Sequence, residues 1–172
     1  EKYVKQREQR IDKIKTKLAA TSGMLGRHRL SWSLFKEYQA YMNDSAIHYI
    51  NRCIDIASKT RQSKLLVSDY IALIHQYAAT GFYNEALEYL KYINEDKLKG
   101  QQLIDYYVCC NHLYGEMGCY SKDSKLKDRC FKLSGIFRDS LYKLVSPNST
   151  IYLWRKVSEL TTANKYSEAM KE

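Results

Sequence analysis

Two histidines, His75 and His112, are the residues of this chain whose type and spacing best support chemistry. They lie 37 residues apart at equivalent places in two similar segments, so stacked helices would bring their imidazoles together. Such a pair could contact a carboxylate or a phosphate, or respond to pH. A metal site would need a third ligand, which Cys109 or Glu116 would have to supply, and we expect neither a metal nor another cofactor. Polar packing between helices is the alternative for both histidines.

The other polar residues do not converge on a reaction. The sequence contains no glycine-rich phosphate loop, nucleophile elbow or HExxH motif, and we therefore predict that the chain is not an enzyme. Its five cysteines are odd in number and lack CxxC spacing, which argues against a zinc cluster or a disulfide framework. Most of them are predicted to be buried thiols; they are Cys53, Cys109, Cys110, Cys119 and Cys130.

The pattern of apolar residues and chain breakers predicts an all-α protein. One proline and seven glycines are few helix breakers for 172 residues, and no stretch alternates as a half-buried strand does. The expected breaks are Thr21–Gly23, Asn43–Ser45, Gly81, Gly118 and Ser146–Ser149. The predicted helices cover residues 2–20, 30–42, 45–60, 63–80, 83–94, 101–117, 121–144 and 150 onwards.

An internal repeat organises these helices. Residues 75–83 resemble residues 112–120, and both segments carry histidine, tyrosine, glycine and tyrosine at the same places. At the same offset of 37 residues, Leu66 matches Leu103 and Tyr70 matches Tyr107. Because self-similarity at such a period is typical of stacked units, we predict that each unit buries its apolar face against its neighbours.

The spacing within the repeat carries a family resemblance. Tyr77 lies four residues before Gly81, and Tyr83 lies three residues before Ala86. This arrangement resembles the tetratricopeptide repeat, in which glycine permits a sharp turn between two helices and alanine permits their close approach. The period of 37 exceeds the 34 residues of that family. In the next unit, Asp123 occupies the place of the alanine.

The resemblance implies a right-handed superhelix of about 3.5 helix hairpins, preceded by one N-terminal helix. The expected organisation is a basic helix over residues 1–22 and an array over residues 30–172, with units at about 30–60, 63–94, 101–144 and a truncated 150–172. The first helix of each hairpin would line a concave groove that binds a protein or a peptide. The candidate groove residues are Ile71, His75, Val108, His112, Trp154 and Ser158.

The N-terminal segment holds most of the basic charge. Residues 1–29 have a net charge of +6, whereas the whole chain has +9. The same segment carries apolar residues at nearly heptad spacing, so it could self-associate or lie along the hairpins. Those residues are Val4, Ile11, Ile14, Leu18 and Leu25. Nucleic-acid binding through residues 1–29 is an alternative that predicts strong salt dependence, but we expect no direct nucleic-acid contact.

A narrower resemblance covers nearly the whole chain. The basic helix followed by the residues from Leu34 to Ile50 resembles a group of Bacteroidetes regulators. Those proteins have an N-terminal, periplasmic tetratricopeptide-like region, then a transmembrane helix, a coiled coil and a DNA-binding helix-turn-helix region. The resemblance implies a sensory role in transcription regulation, with membrane attachment only through segments outside this chain. The chain begins and ends within helical patterns, as a piece of a longer protein would.

A second hypothesis is a cytoplasmic scaffold of the same fold. An odd number of free thiols favours a reducing compartment. An upstream signal peptide and a downstream apolar span in the full-length sequence would distinguish a periplasmic sensor from such a scaffold.

Overall fold

The computed structural model describes residues 2–162, and within them the chain forms α-helices, one short 3-10 helix and no strand. The all-α prediction is confirmed. The α-helices are α1 (Lys2–Ala20), α2 (Met24–Tyr38), α3 (Asn43–Lys59), α4 (Ser63–Ala79), α5 (Tyr83–Leu90), α6 (Gln101–Tyr120), α7 (Ser124–Leu144) and α8 (Thr150–Thr162), with the 3-10 helix at Glu95–Lys97.

Successive helices pair into hairpins. Helix α2 packs on α3, α4 on α5, and α6 on α7, while α4 also packs on α3 and α6. The fully buried Ala46 and Ala86 lie near the starts of α3 and α5, where a larger side chain would push the paired helix away. At the α4–α5 turn Gly81 has a φ of +82°, and the backbone N–H of Phe82 donates to the Tyr77 carbonyl at 2.9 Å. Glycine is favoured at Gly81 because a side chain would strain this conformation.

Gly118 was predicted to end α6, and that prediction is wrong. The helix continues to Tyr120, and Gly118 is buried within it. A Cβ atom at this position would lie 2.8 Å from the Phe131 ring of α7, so glycine here allows two helices to touch. The turn follows instead at Ser121, and the Asp123 carboxylate caps α7 by accepting from the backbone N–H of Leu126 at 2.6 Å.

Several other helix limits differ from the prediction. Helix α2 runs from Met24 to Tyr38 instead of over residues 30–42, and it includes Gly26; α7 begins at Ser124 instead of residue 121. Helix α3 begins at Asn43 without a side-chain cap, and the Asn43 amide oxygen instead accepts from Gln76 Nε2 at 2.9 Å. Helix α5 ends at Leu90, and the chain then enters the 3-10 helix, which the Asn94 side chain caps.

Two buried clusters form the core, and α4 contributes to both. Leu73 of α4 packs with Leu34 and Ile50 in the first cluster, whereas Ile74 packs with Leu113 in the second. Because neighbouring residues of one helix serve different clusters, α4 joins the first hairpin to α6. This continuity fixes the relative placement of α4 and α6, which carry the candidate groove residues Ile71, His75, Val108 and His112.

Helix α1 docks on the first hairpin. Ile11 and Leu18 are buried in the same cluster as Leu34 of α2. Arg10 donates two hydrogen bonds to the Glu37 carboxylate, at 3.0 and 3.1 Å. Of the two arrangements that the sequence left open, the structure adopts the one in which the N-terminal helix lies along the hairpins.

Candidate ligand-binding groove

A concave groove lies along α2, α4 and α6. Its first part is a cavity of about 570 Å³, within the size range of small-ligand pockets. Aromatic, aliphatic and polar side chains line it, which suits a ligand that is partly apolar. Its lining residues include Trp32, Phe35, Lys36, Gln39, Ile71, His75, Asp105 and Val108.

The second part of the groove lies between α6, α7 and α8. It is a cavity of about 610 Å³, again lined by polar and aromatic side chains. The lining residues include His112, Glu116, Ser134, Arg138, Trp154, Arg155 and Ser158. The six residues predicted from the sequence therefore line the two parts, three in each: Ile71, His75 and Val108 in the first, and His112, Trp154 and Ser158 in the second.

The two histidines join the two cavities. The His75 and His112 rings stack with centroids 4.5 Å apart and an angle of 22° between their planes. His112 Nδ1 lies 3.9 Å from the Glu116 carboxylate. His112 Nε2 is buried and has no hydrogen-bond partner among the residues that the structure describes. The predicted proximity of the imidazoles is thus present in the structure.

Both imidazoles are neutral at pH 7. The pKa of His75 is lowered to about 4, first by loss of hydration in the groove and then by His112, Arg155 and Lys36. The pKa of His112 is lowered by burial and by Arg155. Neutral rings can stack without charge repulsion, and each keeps one nitrogen donor and one acceptor for a ligand.

Arg155 places a cation at the junction. Its guanidinium lies 4.8 Å from the centre of the Trp154 ring and donates to the Val108 carbonyl at 3.4 Å. Burial lowers the pKa of Arg155. No carboxylate whose side chain the structure describes forms an ion pair with this guanidinium. Because Lys36 is a further positive charge near His75, the junction favours a ligand that carries an acceptor or a negative charge.

Among the side chains that the structure describes, this histidine pair has no third ligand for a metal ion. The Cys109 thiol is buried and donates to the Ile71 carbonyl at 3.4 Å. Within residues 2–162, neither Cys109 nor Glu116 forms a group of three metal-ligating side chains with His75 and His112.

A second polar cluster was missed in the sequence. His28 Nε2 lies 2.8 Å from Asp69 Oδ2 in the interior, and the Cys53 thiol donates to the His28 carbonyl at 3.6 Å. These residues come from α2, α3 and α4 and share no periodic spacing, so the sequence held no signal for the cluster.

Four of the five cysteines are buried, and all five are free. Cys119 is the exception, since it lies exposed near the end of α6 and lines the second part of the groove. Within residues 2–162, no helix combines the length and the apolar character that crossing a membrane requires.

The stacked helix hairpins, the left-handed glycine at the α4–α5 turn and the small residues at the helix contacts define a tetratricopeptide-type array. The family model described as the SusR N-terminal TPR domain matches residues 1–172, and the chain belongs to that family. The family resemblance found in the sequence is thereby confirmed. No curated protein and no solved structure gives a significant match.

Proposed function

We propose that this chain is a non-enzymatic binding module, the sensory part of a membrane-linked transcriptional regulator. Its ligand is a peptide, a protein segment or a small molecule held in the groove by His75, His112, Trp154 and Ser158. Ile71 and Val108 line the first cavity and supply apolar contacts. The family match supports an interaction role for the array.

The observation that carries the proposal is the unsatisfied junction of the two cavities. His112 Nε2 is buried without a partner among residues 2–162, next to an arginine without a described ion pair. Buried polar groups are nearly always hydrogen-bonded, so such a group calls for an explanation. A ligand oxygen beside His112 would give its Nε2 a hydrogen-bond partner, and the Arg155 guanidinium, which already donates to the Val108 carbonyl, has further N–H groups to offer the same ligand.

The proposal places the array in the periplasm, attached to the membrane through segments outside residues 1–172. It also keeps the division into a basic helix and the four units expected from the sequence. Residues 163–172, the end of the last unit, lie outside the described residues. A cytoplasmic scaffold of the same fold is the second candidate, and the five free cysteines favour it.

The test uses the full-length protein that carries this chain, in its own cells. Transcripts of the wild type and of a deletion strain are compared during growth on a panel of nutrients. Trp154→Ala removes an exposed groove aromatic (61% exposed), and Tyr120→Ala removes an aromatic of similar exposure (73%) that lines neither cavity. Protein levels and melting temperatures of both variants serve as controls for folding.

We expect the deletion to abolish induction of a set of genes, Trp154→Ala to weaken that induction, and Tyr120→Ala to preserve it. If the deletion changes no transcript, the role in a transcriptional regulator is contradicted, and the cytoplasmic scaffold remains as the candidate function. A normal response in a stable Trp154→Ala strain would contradict the use of this groove.

A further inference from the structure

We propose that His28, Cys53 and Asp69 bind one Zn²⁺ ion between α2, α3 and α4. The three side chains are 6% exposed or less, and their ligand atoms lie within 4.8 Å of one another. This site is separate from the groove histidines, and it does not depend on the proposed sensory function.

To hold zinc, the three ligand atoms, which lie within 4.8 Å of one another, must move by up to roughly an ångström. With Zn–N and Zn–O bonds of about 2.0–2.1 Å and a Zn–S bond of about 2.3 Å, tetrahedral ligands lie roughly 3.3–3.6 Å apart. His28 Nε2 and Asp69 Oδ2 are now 2.8 Å apart because a proton lies between them. An ion replacing this proton would separate the two atoms by about half an ångström, within the freedom of both side chains.

One carboxylate oxygen lacks a partner. Asp69 Oδ1 is buried and makes no hydrogen bond among the described residues, although the side chain is only 1% exposed. Ser31 Oγ, one turn after His28 in α2, is also buried without a described partner. A carboxylate in an apolar interior needs hydrogen bonds or a cation to offset its lost hydration. A divalent ion bound to Asp69 would supply that compensation.

The donor set favours zinc over the harder cations. Thiolate, imidazole and carboxylate together suit Zn²⁺, whereas Mg²⁺ and Ca²⁺ prefer oxygen ligands. Binding would release the Cys53 thiol proton to solvent, and the proton between His28 Nε2 and Asp69 Oδ2 would move to His28 Nδ1 or to solvent. Three protein ligands leave a fourth position for water, and a surface pocket of about 390 Å³ reaches His28 and Asp69 from outside.

The competing explanation is a buried hydrogen-bonded pair without a metal. In that case His28 and Asp69 satisfy each other, and Cys53 fills the space between α3 and α2 as a small apolar residue. The two explanations differ in whether the thiol contacts an ion, which cobalt spectroscopy detects. Co²⁺ replaces Zn²⁺ in tetrahedral sites, and a thiolate ligand gives it a strong charge-transfer band in the near ultraviolet.

The experiment titrates the purified, chelator-treated chain with Co²⁺ and then with Zn²⁺. We expect one Co²⁺ per chain, a thiolate-to-cobalt band, and displacement of that band by an equal amount of Zn²⁺. Cys53→Ser should lose the band. Cys110→Ser, which changes an equally buried thiol outside the cluster, and Cys119→Ser, which removes the exposed thiol, should keep it.

Zinc should also raise the melting temperature of the wild type and of Cys110→Ser. The rise is about 5–10 °C at a free zinc concentration one hundred times the Kd. Asp69→Asn keeps the side-chain volume and should weaken zinc binding at least tenfold. This variant tests zinc binding at the site even if Cys53→Ser does not fold. The proposal is overturned by a wild type without the band, by a full band in Cys53→Ser, or by an unchanged Kd in Asp69→Asn.

Discussion

At the scale of single residues, the groove depends on two histidines that remain neutral. His75 and His112 stack face to face, and the lowered pKa values of both rings keep charge out of the stack at pH 7. Arg155 carries the fixed positive charge of the junction instead. A ligand therefore meets neutral hydrogen-bonding rings next to one cation, which suits a carboxylate or a polarised carbonyl.

The histidine pair should make the free energy of unfolding fall in mild acid. In the unfolded chain a histidine takes up a proton near its ordinary pKa of about 6.5, whereas both folded-state pKa values are lowered. Between those values the unfolded chain binds more protons, so stability is present above pH 6.5 and is lost as the pH falls. The free energy of unfolding, measured by urea denaturation, should therefore fall less between pH 7 and pH 5 in the double variant His75→Gln/His112→Gln than in wild type.

The comparison between variants isolates the pair from other titrating groups. The charged groups around the pair, which the substitution leaves in place, are Lys36, Asp105, Glu116 and Arg155. His48→Gln replaces an exposed histidine on α3, outside the pair, and serves as the matched control substitution. Equal pH dependence in the double variant and the wild type would contradict a depressed pKa in the pair.

At the scale of the helices, α1 is part of the folded unit. Its apolar residues divide into buried and exposed members, since Ile11 is 4% exposed and Val4 is 59% exposed. If α1 packed only against a second copy of the chain, both residues would be exposed in the single chain. The contacts of Arg10 with Glu37 and of Arg7 with the Tyr41 ring hold the rest of this helix close to the first hairpin.

Truncation of these two residues should therefore have unequal effects. Ile11→Ala removes buried methylenes and should lower the free energy of unfolding by about 2–5 kcal/mol. Val4→Ala, on the exposed part of the same helix, should change it by less than about 0.5 kcal/mol. Urea denaturation measures both values. Small, equal effects would show that α1 does not dock in solution.

The helices also show how far sequence reasoning reaches. The repeat predicted the hairpins and the meeting of His75 with His112, because a fixed period places equivalent residues on neighbouring helices. Gly118 was misplaced because a glycine at a helix contact and a glycine at a helix end look alike in sequence. The cluster of His28 with Asp69 escaped notice because its contacts join helices at spacings that no pattern repeats.

At the scale of the whole molecule, the array displays one exposed thiol. Cys119 is exposed, whereas the other four cysteines are buried. A maleimide that crosses the outer membrane but not the inner membrane should therefore label the peptide carrying Cys119 in intact cells if the array is periplasmic. Mass spectrometry of the full-length protein identifies the label, and Cys119→Ser should abolish it. Labelling only after lysis would contradict the periplasmic location and favour the cytoplasmic scaffold.

The groove is the feature that links the array to a sensory role. Helices α2, α4, α6, α7 and α8 supply its walls, while α3 and α5 supply no residue to either of its two cavities. A bound ligand should therefore order one set of helices more than the other. If the ligand binds in the groove, the helices that line the two cavities should respond to it together.

Hydrogen–deuterium exchange of the purified full-length protein, with and without the nutrient that induces its genes, tests this statement most directly. We expect slower amide hydrogen exchange in α4, α6 and α8 around the His75–His112 junction, with little change in α3 and α5. Slowing confined to α3 and α5, or no change at a saturating nutrient concentration, would contradict binding in the groove.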